Sequence, residues 1–317
     1  MQRLIVLFFI LTLSATSSAQ VFNRQSILAV AGLWELVFAS VPNNGHTIDL
    51  ADAEEQELLS YAAHTQEQRF ANLESTFNFL NDDESYKGII KKDLGICRGY
   101  SSLRRKFRIV GFFDPLNESN HEIPDKKDSK KFTKFYKKLV KRIRKGLPTV
   151  IPGYKNLFEM SSDPLLARML KLEVFREWRK KNFTKGTGTG DMLAGSLKKT
   201  SYEELLELRD RVANFSKLGH NTIMWLTVAK STWIHVLEAV DVSDVDENGG
   251  FTFKFWNDKF LELDRAYSIM TVTKSGEMTY DDGKTVRKIN AAGITDENDG
   301  EIRYLGENLR EFFTSSN

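Results

Sequence analysis

The chain has 317 residues, of which 41% are hydrophobic and 28% charged, with a formal net charge of only +2. Such a composition excludes a disordered or fibrous chain, and the near-zero net charge defines no partner by itself. The single cysteine, Cys97, excludes an internal disulfide, so its thiol is buried and inert, paired with another molecule, or chemically useful.

The first element is a leader. Arg3 supplies a positive start, Leu4–Leu13 is an unbroken apolar run, and Ser17 and Ala19 stand at the small positions of a cleavage site before Gln20. Residues 1–19 are therefore expected to be a secretory signal peptide, and the protein to be secreted or periplasmic. The run is shorter than the roughly 20 residues a membrane span needs, and no later stretch is long and apolar enough to be transmembrane.

Residues 20–85 form a separate N-terminal segment, a helical flank or a propeptide. Within it, residues 51–80 are predicted to be helical, because Phe70, Leu73, Phe77 and Leu80 recur at helical spacing. Residues 98–113 make a second predicted helix, with Leu103, Phe107 and Val110 on one face, and a loop begins at Asp114-Pro115. Residues 126–145 carry eleven lysines and arginines against a lone Asp128, while Phe132, Phe135, Leu139 and Ile143 keep helical spacing. This is a basic amphipathic helix. Its candidate contacts with an anionic surface are Lys130, Lys134, Lys137, Lys138, Lys141 and Arg142; no specific nucleic acid is predicted.

Further helices are expected over 164–182 and 201–218, the latter with Thr200 or Ser201 as cap and Gly219 as stop. Between them, Lys185–Gly190 lacks the spacing of a phosphate-binding loop and reads as a surface loop. The pattern then turns to strands over Asn221–Ala229, His235–Val242 and Phe251–Trp256, followed by shorter strands and a last helix near Leu309. Helices first and strands later argue for an α+β fold whose second half is an antiparallel meander. Asp244-x-Asp246-x-Asn248-Gly249 matches half of a calcium loop, but Phe255 stands where a bidentate glutamate is needed, so a hairpin turn is expected. No cofactor or metal site is predicted.

The chemistry concentrates around Gly95-Ile-Cys97-Arg-Gly99-Tyr-Ser101. A glycine-punctuated loop delivers the cysteine to the start of a predicted helix. There the free N–H groups and the helix dipole favour a thiolate and can hold an oxyanion. Arg98, Arg104 and Arg105 would add positive potential. A nucleophilic thiol needs a base and a residue to orient it. The candidate base is His235, at the start of one predicted strand, and the orienting residue is Asn257 or Asp258, at the end of the next. His220 is a weaker candidate base, and His46, His64 and His121 read as surface residues.

This order resembles the papain-like cysteine peptidases, and Gly95-Ile-Cys97-Arg-Gly99-Tyr-Ser101 is similar to the Gly-x-Cys-x-Gly/Ala-x-Ser pattern of bacterial effector-type members. The likeness spans residues 90–262. It implies a papain-like α+β domain over 86–317, with Cys97 as nucleophile, His235 as base and Asn257 or Asp258 orienting it. Three features depart from the pattern: Lys91 stands where an oxyanion-holding glutamine is usual, Arg98 replaces the aromatic residue after the nucleophile, and the hairpin from His235 to Asn257 is longer than the usual one. The expected function is a cysteine hydrolase acting on a protein or cell-wall peptide. The alternative is a non-catalytic exported binding protein that holds an anionic surface with residues 126–145.

Overall fold

The computed structural model describes residues 76–79, 86, 96–183, 199–217, 221–228, 234–256, 267–295 and 297–314. The leader, nearly all of the 20–85 segment, Lys185–Gly190, His46, His64, His220, Asn257 and Asp258 lie outside them. The order of elements begins α1 (Cys97–Val110), β1 (Gly111–Asp114), α2 (Ser129–Arg144), β2 (Thr149–Pro152), α3 (Leu157–Ser162), α4 (Pro164–Phe183) and α5 (Tyr202–Lys217). It continues with β3 (Thr222–Thr227), β4 (Ile234–Val242), β5 (Phe251–Trp256), β6 (Tyr267–Val272), β7 (Met278–Asp281), β8 (Val286–Ile289), β9 (Ala291–Ile294) and α6 (Glu297–Thr314). The class is α+β, helical first and antiparallel second, as the pattern predicts.

Helix α1 lies at the centre of the helical half. It packs against α4, α2 and α6 on some sides and β4 on another, and each of its 14 residues is buried. Two details of the sequence reading are corrected. The second predicted helix stops at Val110, and Gly111–Asp114 instead pairs in parallel with Thr149–Pro152. Gly111 sits where a Cβ would meet the Phe107 carbonyl, so the chain leaves the helix there in an extended conformation. Residues 76–79 are bent rather than helical. Phe77 and Phe79 stack at 4.8 Å, and both contact Tyr100. Two aromatics two residues apart can share a core only if the backbone is not a helix.

Helix α2 matches its prediction closely. Asp128 caps it by accepting from the Lys131 N–H at 3.1 Å. Phe132, Tyr136, Val140 and Ile143 form its buried stripe. Its N-terminal approach is pinned at Asp163, whose Oδ2 accepts from Lys126 Nζ at 2.7 Å and from Tyr154 Oη at 2.6 Å. Burial alone would raise the Asp163 carboxyl pKa, but these bonds and the Leu165 N–H outweigh it and hold it below the usual carboxylate value. Burial and the same carboxylate push the Tyr154 phenol well above its ordinary range.

The seven strands β3 to β9 form one antiparallel sheet in the order β8-β7-β6-β5-β4-β3-β9. Strands β8 and β9 occupy opposite edges, yet only Asn290 separates them in the chain. The sheet must therefore curl until its edges approach. Asn290 ties this corner by donating to the Thr227 carbonyl at 2.8 Å and accepting from the Thr200 N–H at 3.2 Å. Inside the curl, Met224, Leu226, Leu237, Phe251, Phe253, Phe255 and Tyr280 share one core with Leu205, Leu208 and Val212 of α5. The clean alternation Phe-Thr-Phe-Lys-Phe of β5 is the sequence signal for this inner face. The outer face is covered by α1 where β3, β4 and β5 present Trp225, Val236, Glu238 and Trp256.

Candidate active site

Cys97 is the first residue of α1, as the glycine-punctuated motif predicts. The first turn contains no acidic residue, so nothing there opposes the positive end of the helix dipole. The thiol is buried, packed with Ile223 of β3 and Val236 of β4 and flanked by Trp225 and Ile234.

Helix α1 runs alongside β4 in the same direction. Ser101 Oγ donates to the Val236 carbonyl at 3.3 Å, and one turn later Arg104 Nε donates to Glu238 Oε1 at 2.8 Å. Arg108 also pairs with Glu238. The N-terminus of the helix therefore lies at the end of β4 that carries His235, across a separation of more than 130 residues. β5 pairs with β4 and ends at Trp256, immediately before Asn257 and Asp258 in the chain.

The two side chains leave β4 on different faces. His235 is paired with Leu226, a residue of the inner core, and its imidazole lies edge-on to Tyr280 with ring centroids 6.3 Å apart. Val236, which contacts the Cys97 cluster, is paired with Trp225 on the outer face. Directly opposed residues share a face and successive ones alternate. Cys97 and His235, the candidate nucleophile and base, therefore meet at the strand end through their backbones, with the imidazole turned to the inner side and away from the thiol.

The remaining motif residues have packing roles that the sequence reading missed. A Cβ on Gly99 would meet the Val174 carbonyl, and Trp178 Cβ at 2.6 Å. The glycine therefore lets α1 and α4 approach closely. Ser102 Oγ donates to Glu177 at 3.1 Å. Of the basic residues expected to raise the potential at the thiol, Arg104 and Arg105 are instead matched with carboxylates that reach α1 from other elements. Arg104 and Arg108 meet Glu238, Arg105 meets Glu301, and Lys106 meets Glu177 at 2.6 Å and Glu301 at 3.1 Å. Arg104 also lies over the Trp256 ring, 5.0 Å from its centroid. Burial opposes the charge on Lys106, but Glu301 and Glu177 raise its pKa. Burial, then Arg104 and Arg105, lower that of Arg108 well below its ordinary value. The signal that could have revealed the network is Glu238 itself, a carboxylate inside the apolar run Val236-Leu237-Glu238-Ala239.

Other candidates resolve simply. Asp246 Oδ1 accepts from the Asn248 and Gly250 N–H groups at 2.8 Å, and Asp244 pairs with Arg209 at 2.7 Å, so this segment is the β4–β5 turn. His121 lies in the loop before α2, against Phe135. Among the described residues no three His, Cys, Asp or Glu side chains cluster as metal ligands, and no helix is long and apolar enough to cross a membrane. No protein-family model, curated protein or solved structure matches the chain.

Proposed function

We propose that the protein is an exported cysteine hydrolase of papain-like architecture, a peptidase or amidase, acting through Cys97 and His235. The observation that carries this reading is the meeting of the α1 N-terminus, with Cys97 as its first residue, and the His235 end of β4. The α+β order and the hairpin partner β5, running into Asn257-Asp258, support the same assignment.

In the reaction, the imidazole of His235 takes the thiol proton and the Cys97 thiolate attacks the carbonyl carbon of an amide. The carbonyl π electrons move to oxygen, and the N–H groups at the positive end of α1 hold the resulting oxyanion. As the tetrahedral intermediate collapses, the C–N bond breaks and the amine leaves with the proton from His235. Water, deprotonated by the same imidazole, then hydrolyses the thioester and restores the thiol. Asn257 or Asp258 orients the imidazole. In the structure the imidazole lies on the inner side of β4, so its pairing with the thiol requires the start of that strand to change conformation. The substrate is a protein or a cell-wall peptide.

The test is the pH dependence of Cys97 alkylation in the native chain, with His235→Ala alongside. Reaction saturating well below about pH 8.5, the pKa of a free cysteine, and shifting upward without His235 is the expected outcome. An unreactive thiol, or identical ordinary titrations in both proteins, overturns the assignment.

A further inference from the structure

Helices α2 and α4 lie side by side in the same direction: Lys126 meets Asp163 before their first turns, and Arg144 meets Glu173 farther along. Their charges are sorted by depth. The carboxylates of this pair, Glu173 and Glu177 on α4, are both buried and turned inward. The outward side of α2 presents Lys130, Lys134, Lys137, Lys138, Lys141 and Arg142, all exposed. None of these six has an ion-pair partner among the described residues. Arg168 and Arg179 continue the exposed charge on α4. The acidic residues nearest in sequence, Glu118, Glu122 and Asp125, belong to the loop before Asp128.

We infer that this two-helix face docks on the anionic surface of a lipid bilayer, without inserting into it. Four features select that partner. Neighbouring helices sit about 8–10 Å apart, so α2 and α4 together form a patch with breadth as well as length, suited to a plane of phosphates. The large apolar residues of α2 are spent on the core, and among the described residues none of the exposed large hydrophobics lies on either helix, so attraction rests on charge. Among the described residues, no exposed aromatic accompanies the cations to stack on bases. Lysine predominates, and its ammonium is a point charge that attracts phosphate without demanding a fixed geometry.

The experiment is co-flotation of the full chain with vesicles of phosphatidylcholine alone or with 30 mol% phosphatidylglycerol added. The neutral vesicles set the baseline for any contribution of the N-terminal apolar run. A variant carrying Lys130→Gln, Lys134→Gln, Lys137→Gln and Lys141→Gln runs beside a control carrying Lys254→Gln, Lys284→Gln and Lys288→Gln, on the sheet and its turns. Each basic residue near an anionic membrane strengthens partition by a factor of about five, so the helix variant is expected to bind several-hundred-fold more weakly in low salt. The control should match the parent, and raising the salt should erase the difference. Equal partition of parent and helix variant, or no excess binding to anionic vesicles, overturns the inference. Retention on heparin without vesicle binding also overturns it, because the occupant is then a linear polyanion.

Discussion

Helices α1 and α2 are both strongly basic, yet they use their charge in opposite ways. Five of the 14 residues of α1 are arginine or lysine, and all five are buried; eight of the 16 residues of α2 are, and none of those is buried. The difference lies in what surrounds them. α1 is enclosed by four elements, and Glu238, Glu177 and Glu301 reach it from β4, α4 and α6. α2 has a helical apolar stripe on one side and open solvent on the other. A cation is admitted to a core only where opposite charge and hydrogen bonds offset its desolvation. Basic composition therefore says little about a helix until its carboxylate partners are known.

The comparison breaks most decisively at Glu238. Glu238→Gln removes the charge shared by Arg104 and Arg108 and is expected to cost about 3–5 kcal/mol, read by urea unfolding. Replacing all three residues with apolar side chains of similar volume should recover most of that loss. If the single variant unfolds at the parent midpoint, the network carries no stability and the distinction between the helices fails.

Gly99→Ala tests how closely α1 must be enclosed. The added methyl would collide with the α4 backbone at Val174 and with Trp178, so a loss of about 1–3 kcal/mol is expected from the same unfolding curves. The smallest effect belongs to α2. Neutralising Lys137 and Lys141 together should change stability by no more than about 0.5 kcal/mol. A large destabilisation there would mean that the exposed cations hold the fold, and the membrane-docking face would need another explanation.

Legibility in the sequence followed burial pattern. α2 and β5 were readable nearly to the residue, because each has one buried and one exposed side and so keeps a clear period. α1 was readable as a helix beginning near Cys97, but its end was not. It is buried all round, and the Gly111–Asp114 strand that follows forms only because β2 lies beside it. Gly99 and Ser101 were legible as parts of a motif and not as what they do, since close approach to α4 and a bond to the Val236 carbonyl depend on distant elements.

By itself the sequence determined the α+β order, the amphipathic character of α2, the alternation of the inner sheet face and the position of Cys97 at a helix start. These are local, because backbone periodicity and turn chemistry act over a few residues. Tertiary structure alone decided which basic helix is buried, that the sheet curls at Asn290, and that His235 turns to the inner face of its strand while Cys97 packs on the outer face. Each of those depends on residues far apart in the chain, where pairing register and the cost of unpaired buried charge select the arrangement.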